Sequence, residues 1–571
     1  MSRLTGSSAL PGIATARAYR REWLRPDITA GLVLTALLIP AGMGYAEAAG
    51  LPAYAGLYAT IVPLLAYAVV GPSKILVLGP DSSLAPLIAA AVLPLAVAND
   101  PESALVFAGV LGVLVGVILL VGGFLRLGFV TELLSKPIRL GYLNAIALVV
   151  IVGQLPKLLG FSVDAPGLLG EIREIAETVV NGGIDPVTAG IGLASLAVIV
   201  GFRLWLPRIP GVLVAVVTAI VASTALDLTD EIGMVGALPE GLPLPSFGGV
   251  EWSDVGRLVG PAAGIALIAF ADTGVLSRTF AARRGEDVDG STEMKAVGVA
   301  NIAGGLFGGF PVSASGSRTP VAEQSGARTQ LACVVGAVAV LVFVLVAPGL
   351  TTYLPDATLG AVVIVAATAL VDVRGMVRMW QMSTVEFGLA VAAFLGVALV
   401  GVLQGILVAI GLSFVSVVAR AWQPYRTELV RTADRPGFHD VERHPEGSRI
   451  PGLTIVRFDA PLFFANGEIF DQYVRSVVAR TEAPVEWVVI AAEPITGLDT
   501  TAVDELVDLD AYLEGNGIRL VFAEMKGPIK DRLIRFGVGD RFDPSRFHPT
   551  LEDAVDAFIG RTGRGNDQVV G

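Results

Sequence analysis

The sequence predicts a polytopic α-helical membrane protein joined to a compact α/β domain, and three observations predict it. Of 571 residues, 53% are hydrophobic and 16% charged, and the mean hydropathy is +0.70, a composition no water-soluble globular chain sustains. From residue 27 to about 423 the chain is a series of hydrophobic runs long enough to cross roughly 30 Å of hydrocarbon as helices, whereas 427–571 is charged and mixed. The apolar part also repeats itself weakly. The expected organisation is a cytoplasmic N-terminal segment 1–26, a membrane domain 27–423, a linker 424–450, an α/β domain 451–565 and a tail 566–571.

About fourteen spans are expected, beginning near Asp27, Leu51, Asp81, Ser103, Pro137, Pro186, Gly211, Gly260, Thr292, Gly316, Ala327, Ala357, Thr384 and Gly401. Several are short or broken by Gly and Pro. Short cytoplasmic loops should carry the Lys and Arg. With the N-terminus inside, the even-numbered span ends hold Lys74, then Arg126, Lys136 and Arg139, then Arg203 and Arg208, then Arg278, Arg283 and Arg284, then Arg374 and Arg378, then Arg420 and Arg426. The other side holds Asp100, Glu102 and the acidic stretches from Asp164 to Glu177 and from Asp227 to Glu240. Both termini and the α/β domain are therefore expected in the cytoplasm, in a multi-pass inner (plasma) membrane protein. Arg17, Arg20, Arg21 and Arg25 precede a full-length span, not the short apolar core of a cleaved signal.

The repeat runs at roughly 235 residues: AGLVLTALLIP precedes VVGPSKILVLGPDSSLAPL much as AGIALIAFADT precedes LFGGFPVSASGSRTPVAEQ. An odd number of spans per half inverts the second copy, and short, Gly/Pro-interrupted segments at matching places point to a substrate site. Those places are 79–85 and 311–321. In each, a β-like stretch runs into a helix start, and non-helical backbone at membrane depth survives only where it is buried or lines a cavity. Two half-helix N-termini facing one cavity make an anion site. Arg318 stands at the first turn of the second half-helix, where a charge is costly unless it pairs or faces a polar path. It either attracts an anion there or pairs with Glu323 or Asp272 to lock the repeat interface.

The other acids within the apolar runs are Glu47, Asp272, Glu293 and Glu386; Glu47 and Glu386 lie nearer span ends, where solvated or interfacial roles are expected. Asp272 falls midway along IALIAFADTGVLSRTF, where desolvation penalises its charged form and makes protonation part of its chemistry. The single cysteine, Cys333, has no disulfide partner, and the three histidines, His439, His444 and His548, all lie in the tail, so no metal site or histidine relay is expected in the membrane. No cofactor is expected. The net charge of −12 comes from the tail and acidic loops and offers no basic surface for nucleic acid. No GxxxxGK[ST] loop occurs, which excludes an ATP motor on this chain.

In the tail, LTIVRFDAPLFF, VEWVVIAAEPI and GIRLVFAEM read as strands, and GEIFDQYVRSVVAR, TAVDELVDLDAYLEG and TLEDAVDAFIG carry helical spacing. The loop GLDTTAVDEL presents Asp499, Thr500 and Thr501 at a helix start, where an Asp/Thr pair is an ordinary N-cap.

The chain resembles the SulP / solute carrier 26 anion transporters. The resemblance rests on LLIPAGMGYAEAAGLPAYAGLYATIVPLLAYAVVGPSKILVLGP, on GLFGGFPVSASGSRTPV followed by GARTQL, on GVLQGIL and on RFDAPLFFANGEIF. It implies a seven-plus-seven inverted repeat with core and gate domains, elevator-like movement, a homodimer and a C-terminal STAS domain. It also implies an anion held at Gly79, Pro80, Asp81, Ser82 and Ser83 on one side and Ser315, Gly316, Ser317 and Arg318 on the other, with Tyr45 of the first-span motif added to the set. The 499–501 loop resembles a STAS phosphorylation loop. Two positions depart from the family: Ala41 follows Pro40 where a glutamine is common, and Asp81 stands where a neutral residue is usual. Asp81 either competes with the anion or serves as an N-cap.

Asp272 matches the family's cation-coupling acid. Sodium-coupled relatives place a hydroxyl one turn later, where this chain has Leu276, so a proton is favoured over sodium as the coupled cation. The leading expectation is a secondary active transporter of a small inorganic anion, sulfate or bicarbonate, and not an enzyme. A sodium-coupled bicarbonate or dicarboxylate transporter, an anion channel or exchanger, and a STAS-based sensor on the same scaffold are the alternatives.

Overall fold

The computed structural model describes residues 10–97, 100–128, 135–163, 165, 167–206, 209–239, 251–432 and 435–562. Asp164, Arg208, Glu240, the side chain of Arg420 and the tail from 566 lie outside the described residues. The chain forms two compact units, Met1–Ser413 and Phe414–Gly571.

The first unit opens with α1 (Pro11–Arg17), α2 (Leu24–Ala48), α3 (Ala53–Val70), strand β1 (Leu78–Gly79), α4 (Ala85–Val92), α5 (Pro101–Phe124), α6 (Lys136–Leu159), α7 (Gly167–Val180), α8 (Pro186–Trp205) and α9 (Gly211–Ala225). The second half follows with α10 (Trp252–Arg283), α11 (Gly290–Leu306), strand β2 (Ser313–Ala314), α12 (Arg318–Gln324), α13 (Leu331–Val346), α14 (Asp356–Thr368), α15 (Val373–Met382), α16 (Thr384–Leu395) and α17 (Val402–Trp422), inside which the two units divide. Setting aside α1, α7 and α15, each half has seven segments, and the third of each is a two-residue strand followed by a short helix. At about 1.5 Å per residue, α4 and α12 reach only part of the way across a bilayer. The architecture is a polytopic helical membrane protein with a seven-plus-seven inverted repeat.

Two sets of helices pack among themselves. In the core set, α2, α3, α5, α10, α11 and α13 surround the two half-helices; in the gate set, α6, α8, α9, α14 and α16 pack together. The helices α5 and α11 pack against each other along much of their length at close range. A side chain at Gly305 would bring a Cβ to 2.4 Å from the Gly109 carbonyl oxygen, and one at Gly116 would reach 2.5 Å from the Gly298 carbonyl oxygen. Small residues allow this backbone contact, which in a lipid solvent replaces the hydrophobic effect as the source of helix–helix attraction.

The amphipathic helices α7 and α15 were not expected: α7 lies in the acidic stretch read as a loop, and α15 follows α14 after a short turn. Glu47 departs from its expected solvated role, since its side chain is only 9% exposed and accepts from Lys157 Nζ at 3.2 Å. Asp27, expected only as a span start, is fully buried and accepts from the Arg328 and Thr329 N–H groups and the Thr329 hydroxyl. It thereby satisfies donors at the turn before α13.

The second unit is a six-stranded sheet in the order β4-β3-β5-β6-β7-β8, built from β3 (Arg426–Arg431), β4 (Phe438–Asp440), β5 (Leu453–Phe458), β6 (Trp487–Ala491), β7 (Arg519–Ala523) and β8 (Phe547–His548). Strands β5 to β8 run parallel, and β3 joins antiparallel to both β4 and β5. The inner strands are apolar on both faces: Val488 and Ile490 meet one core with α18 (Gly467–Arg480) and α19 (Thr500–Gly515), while Trp487 and Val489 meet the other with α21 (Leu551–Thr562). A parallel sheet covered on both sides requires this composition. The helix α20 (Gly527–Arg535) completes the first face.

Candidate functional site

The site is built on the two broken segments. Strand β1 pairs antiparallel with β2, Leu78 opposite Ala314 and Gly79 opposite Ser313, and Ser315 N donates to the Val77 carbonyl at 2.9 Å. Extended backbone at this depth needs partners for every N–H and C=O. Thr319 Oγ1 accepts from Val77 N at 3.1 Å, Thr273 Oγ1 on α10 accepts from Ala314 N at 3.1 Å, and Asn301 on α11 both accepts from Val312 N and donates to its carbonyl. Gln330 Nε2 donates to the Ser73 and Leu76 carbonyls. The two repeats are thus one hydrogen-bonded frame.

From this frame both half-helix starts open onto a cavity of about 1050 Å³, lined by Tyr45, Asp81, Ser82, Ser83, Asp272, Gly316, Ser317 and Arg318 among others. Gly79, Pro80 and Ser315 stand behind this lining. Gly79 has φ +152°, and a Cβ there would lie 3.0 Å from Arg318 Nη1, so the arginine packs on bare backbone. Arg318 is 2% exposed; its Nη2 donates to the Pro80 carbonyl, its N–H to Ser315 Oγ at 3.3 Å, and its Nε and Nη1 have no hydrogen-bond partner. The pairings offered by sequence are absent among the described residues: Glu323 pairs with Arg283 at 3.1 Å, and Asp272 Oδ2 is 3.1 Å from Ser83 Oγ. A buried guanidinium with two donor atoms unused beside a polar cavity has the chemistry to donate to the oxygens of an anion.

Asp81 Oδ1 lies 3.2 Å from Ser83 N and 3.0 Å from Ser83 Oγ, a short turn ahead of α4. The hydroxyls nearest Asp272 in sequence serve elsewhere: Thr273 holds β2, and Ser277 donates to Glu293. Leu276 lines the cavity one turn after Asp272. Sequence reasoning missed Thr273 and Asn301 as supports and gave Arg139 and Lys136 only topological roles, although both line the same cavity from α6. In the other unit, Asp499 Oδ1 accepts from Ala502 N at 2.9 Å and Oδ2 from Phe464 N at 2.8 Å, which makes it the cap of α19, with Thr500 and Thr501 exposed beside it.

A frame of this kind, in which inverted repeats present two half-helix starts and a buried arginine to one cavity, defines an anion transporter. The chain belongs to the sulfate permease family, which it matches over residues 24–393, and it carries a STAS domain over residues 444–554. It is 40% identical over 560 residues to a probable sulfate transporter of Mycobacterium tuberculosis, covering 98% of this chain and 99% of that one. It is 28% identical over 575 residues to sulfate transporter 1.3 of Arabidopsis thaliana, covering 96% and 87%. In fold it is similar to the murine solute carrier 26 family member A9 anion transporter in the inward-facing state, with a TM-score of 0.90, 23% identity and coverage of 98% and 96%. The transmembrane domain of the cyanobacterial bicarbonate transporter BicA aligns at a TM-score of 0.59 and 23% identity, covering 69% and 98%. These relatives are transporters, not enzymes.

Proposed function

We propose that this protein is a secondary active, proton-coupled transporter of a small inorganic oxyanion, sulfate or bicarbonate, held between the two half-helix N-termini and carried by an elevator movement of core against gate. The observation that carries this reading is Arg318, buried with two unpartnered donor atoms on the cavity wall between the helix starts. Ser82, Ser83 and Ser317 supply hydroxyls around it, Gly316 leaves the backbone open beside it, and Tyr45 closes the wall from α2. The Mycobacterium and Arabidopsis relatives favour sulfate; a dipole and one guanidinium recognise charge and oxygen, which bicarbonate shares.

Asp272 is the coupling residue in this reading. It is half-buried in the cavity wall, where carrying a proton relieves the cost of its charge. Leu276 favours a proton over sodium, because a sodium cage would need an oxygen at that position. The orientation that fits the basic loops puts the N-terminus and the STAS domain in the cytoplasm of an inner-membrane protein, with the cavity mouth at Lys136, Arg139 and Arg203 facing inward. The membrane domain ends near 423, the STAS domain occupies 451–565 with its 499–501 loop as a regulatory point, and two chains form a homodimer.

Sulfate binding by titration calorimetry tests the site. Arg318→Ala should weaken it at least several-fold in a monodisperse protein; unchanged affinity would remove Arg318 from the site. Uptake into proteoliposomes tests coupling: Asp272→Asn should exchange anion and fail to concentrate it under a pH gradient, and accumulation equal to the wild type would end the proton assignment.

A further inference from the structure

Asp81 is the residue the reading above leaves without a task. A carboxylate at a half-helix start competes with an incoming anion for the same partial positive charge. Its surroundings are unusual. Ser83 Oγ stands 3.0 Å from Asp81 Oδ1 and 3.1 Å from Asp272 Oδ2. A hydroxyl has one hydrogen, so it donates to one carboxylate at a time, and the second contact is a hydrogen bond only when that carboxyl carries a proton itself. The arrangement therefore accommodates one proton shared between Asp81 and Asp272.

Asp81 also looks toward Arg318. The guanidinium is tethered through Nη2 to the carbonyl of Pro80, the residue before Asp81, while Nε and Nη1 remain without partners. No ion pair within 4 Å joins Asp81 to Arg318 among the described residues, yet both line one cavity and their charges interact across it. The other titratable or charged groups facing this pair are Tyr45 from α2, Asp272 from α10 and Cys333 from α13, with Arg139 and Tyr142 of α6 beyond Asp272. Among the described residues, Arg318 is the cation whose charge acts on Asp81. A second negative charge placed between them would meet an attraction and a repulsion at once.

We propose that Asp81 makes anion binding itself proton-dependent: charged, it balances Arg318 in the empty site, and on taking up a proton through the Ser83-bridged pair it yields that place to the oxyanion. The inference rests on the proton-coupled reading and divides its labour. Asp81 sets affinity, whereas Asp272 ties movement to the gradient. The step is a proton transfer from solvent to a carboxylate oxygen and breaks no other bond.

The test is sulfate binding to purified full-length protein between about pH 5.5 and 8.5, compared for wild type, Asp81→Asn and Asp272→Asn. Wild-type affinity should fall as pH rises. Asp81→Asn should bind at the alkaline end at least about tenfold more tightly than wild type and vary less than about two-fold across the range, while Asp272→Asn keeps a pH-dependent affinity. Asp81→Ser, which keeps an oxygen for Ser83 N, stands in if the asparagine variant fails to fold. Wild-type pH dependence persisting in the Asp81 variant would overturn the proposal, as would weaker binding at every pH. Failure of the underlying reading has a different signature: Arg318→Ala binding unchanged, or Asp272→Asn still accumulating anion, whatever the Asp81 variant does.

Discussion

Lys157 on α6 donates to Glu47 Oε2 on α2 across 3.2 Å, so an ion pair ties gate to core at the end of α6 opposite Lys136 and Arg139. Asp356 and Tyr54 line the same small cavity, of about 270 Å³. The proposed elevator movement, sliding the core along the gate, would break this pair. Lys157 is 39% exposed, so solvent screening limits the pair to about 0.5–1 kcal/mol, a two- to five-fold bias in a conformational equilibrium. Glu47→Gln should raise the thiol-labelling rate of Tyr54→Cys, in a Cys333→Ala background, by that factor. An unchanged rate would mean that the pair is not a latch.

Gly305→Ala should cost about 1–3 kcal/mol through overpacking, because its Cβ would meet the Gly109 carbonyl at 2.4 Å and Val113 N at 2.8 Å. Gly260→Ala, in α10 with open space around it, is the control and should melt at or slightly above the wild type. Thermal unfolding in detergent distinguishes them.

Thr273→Val preserves shape and removes the oxygen that accepts from Ala314 N. The orphaned N–H costs about 1–3 kcal/mol, and part of that cost should emerge as weaker anion binding because β2 leads into the Arg318 helix. The expected result is a lowered melting temperature together with several-fold weaker sulfate affinity. A melting shift alone would confine Thr273 to stability.

Every candidate anion-contacting residue lies in the unit Met1–Ser413. Deleting residues from 450 onward should therefore leave sulfate affinity within about two-fold of the full chain while altering transport rate or abundance in the membrane. Lost binding in a folded truncation would show that the STAS domain completes the site.

His548, on β8, is held below its ordinary value by burial and then by the charge of Arg519, and its Nε2 is buried without a partner. The unfolded chain takes this proton first on acidification. STAS-domain stability should thus be full above the ordinary histidine range, near about 6.5, and fall as pH drops through it. Urea unfolding of the domain at several pH values checks this, and His548→Gln should flatten the profile in that window.

The starts of most of the fourteen segments were legible because Pro, Gly and charge punctuate them, although α10 begins at Trp252 and not near Gly260, and the two breaks were legible because Gly79-Pro80 and the serines after Phe310 interrupt apolar runs. What supports those breaks was not. Thr273 and Asn301 satisfy backbone groups far along the chain, and a lone hydroxyl or amide within an apolar run carries no sign of its partner. The same holds for Arg318, whose acceptor is a carbonyl, a group every residue possesses. Glu47 read as wetted because it lies near a span end and Asp27 only as a span start, yet helices meeting at those ends cover both. The helices α7 and α15 escaped because a half-apolar segment between spans is indistinguishable by composition from a loop.

The bridge between β1 and β2 is antiparallel with a particular register. An offset of about 235 residues carries Leu78 onto Ser313 and Gly79 onto Ala314, so each residue pairs with the counterpart of its neighbour, as two copies of one strand do across a two-fold axis. The same offset lays Asp81 on Gly316, Ser82 on Ser317 and Ser83 on Arg318. A pseudo-symmetric backbone therefore supports an antisymmetric pattern of charge, carboxylate on one half and guanidinium on the other. An oxyanion between two nearly equivalent helix dipoles would have no preferred end without that difference; with it, an anion bound as proposed would be drawn off the axis toward the second repeat.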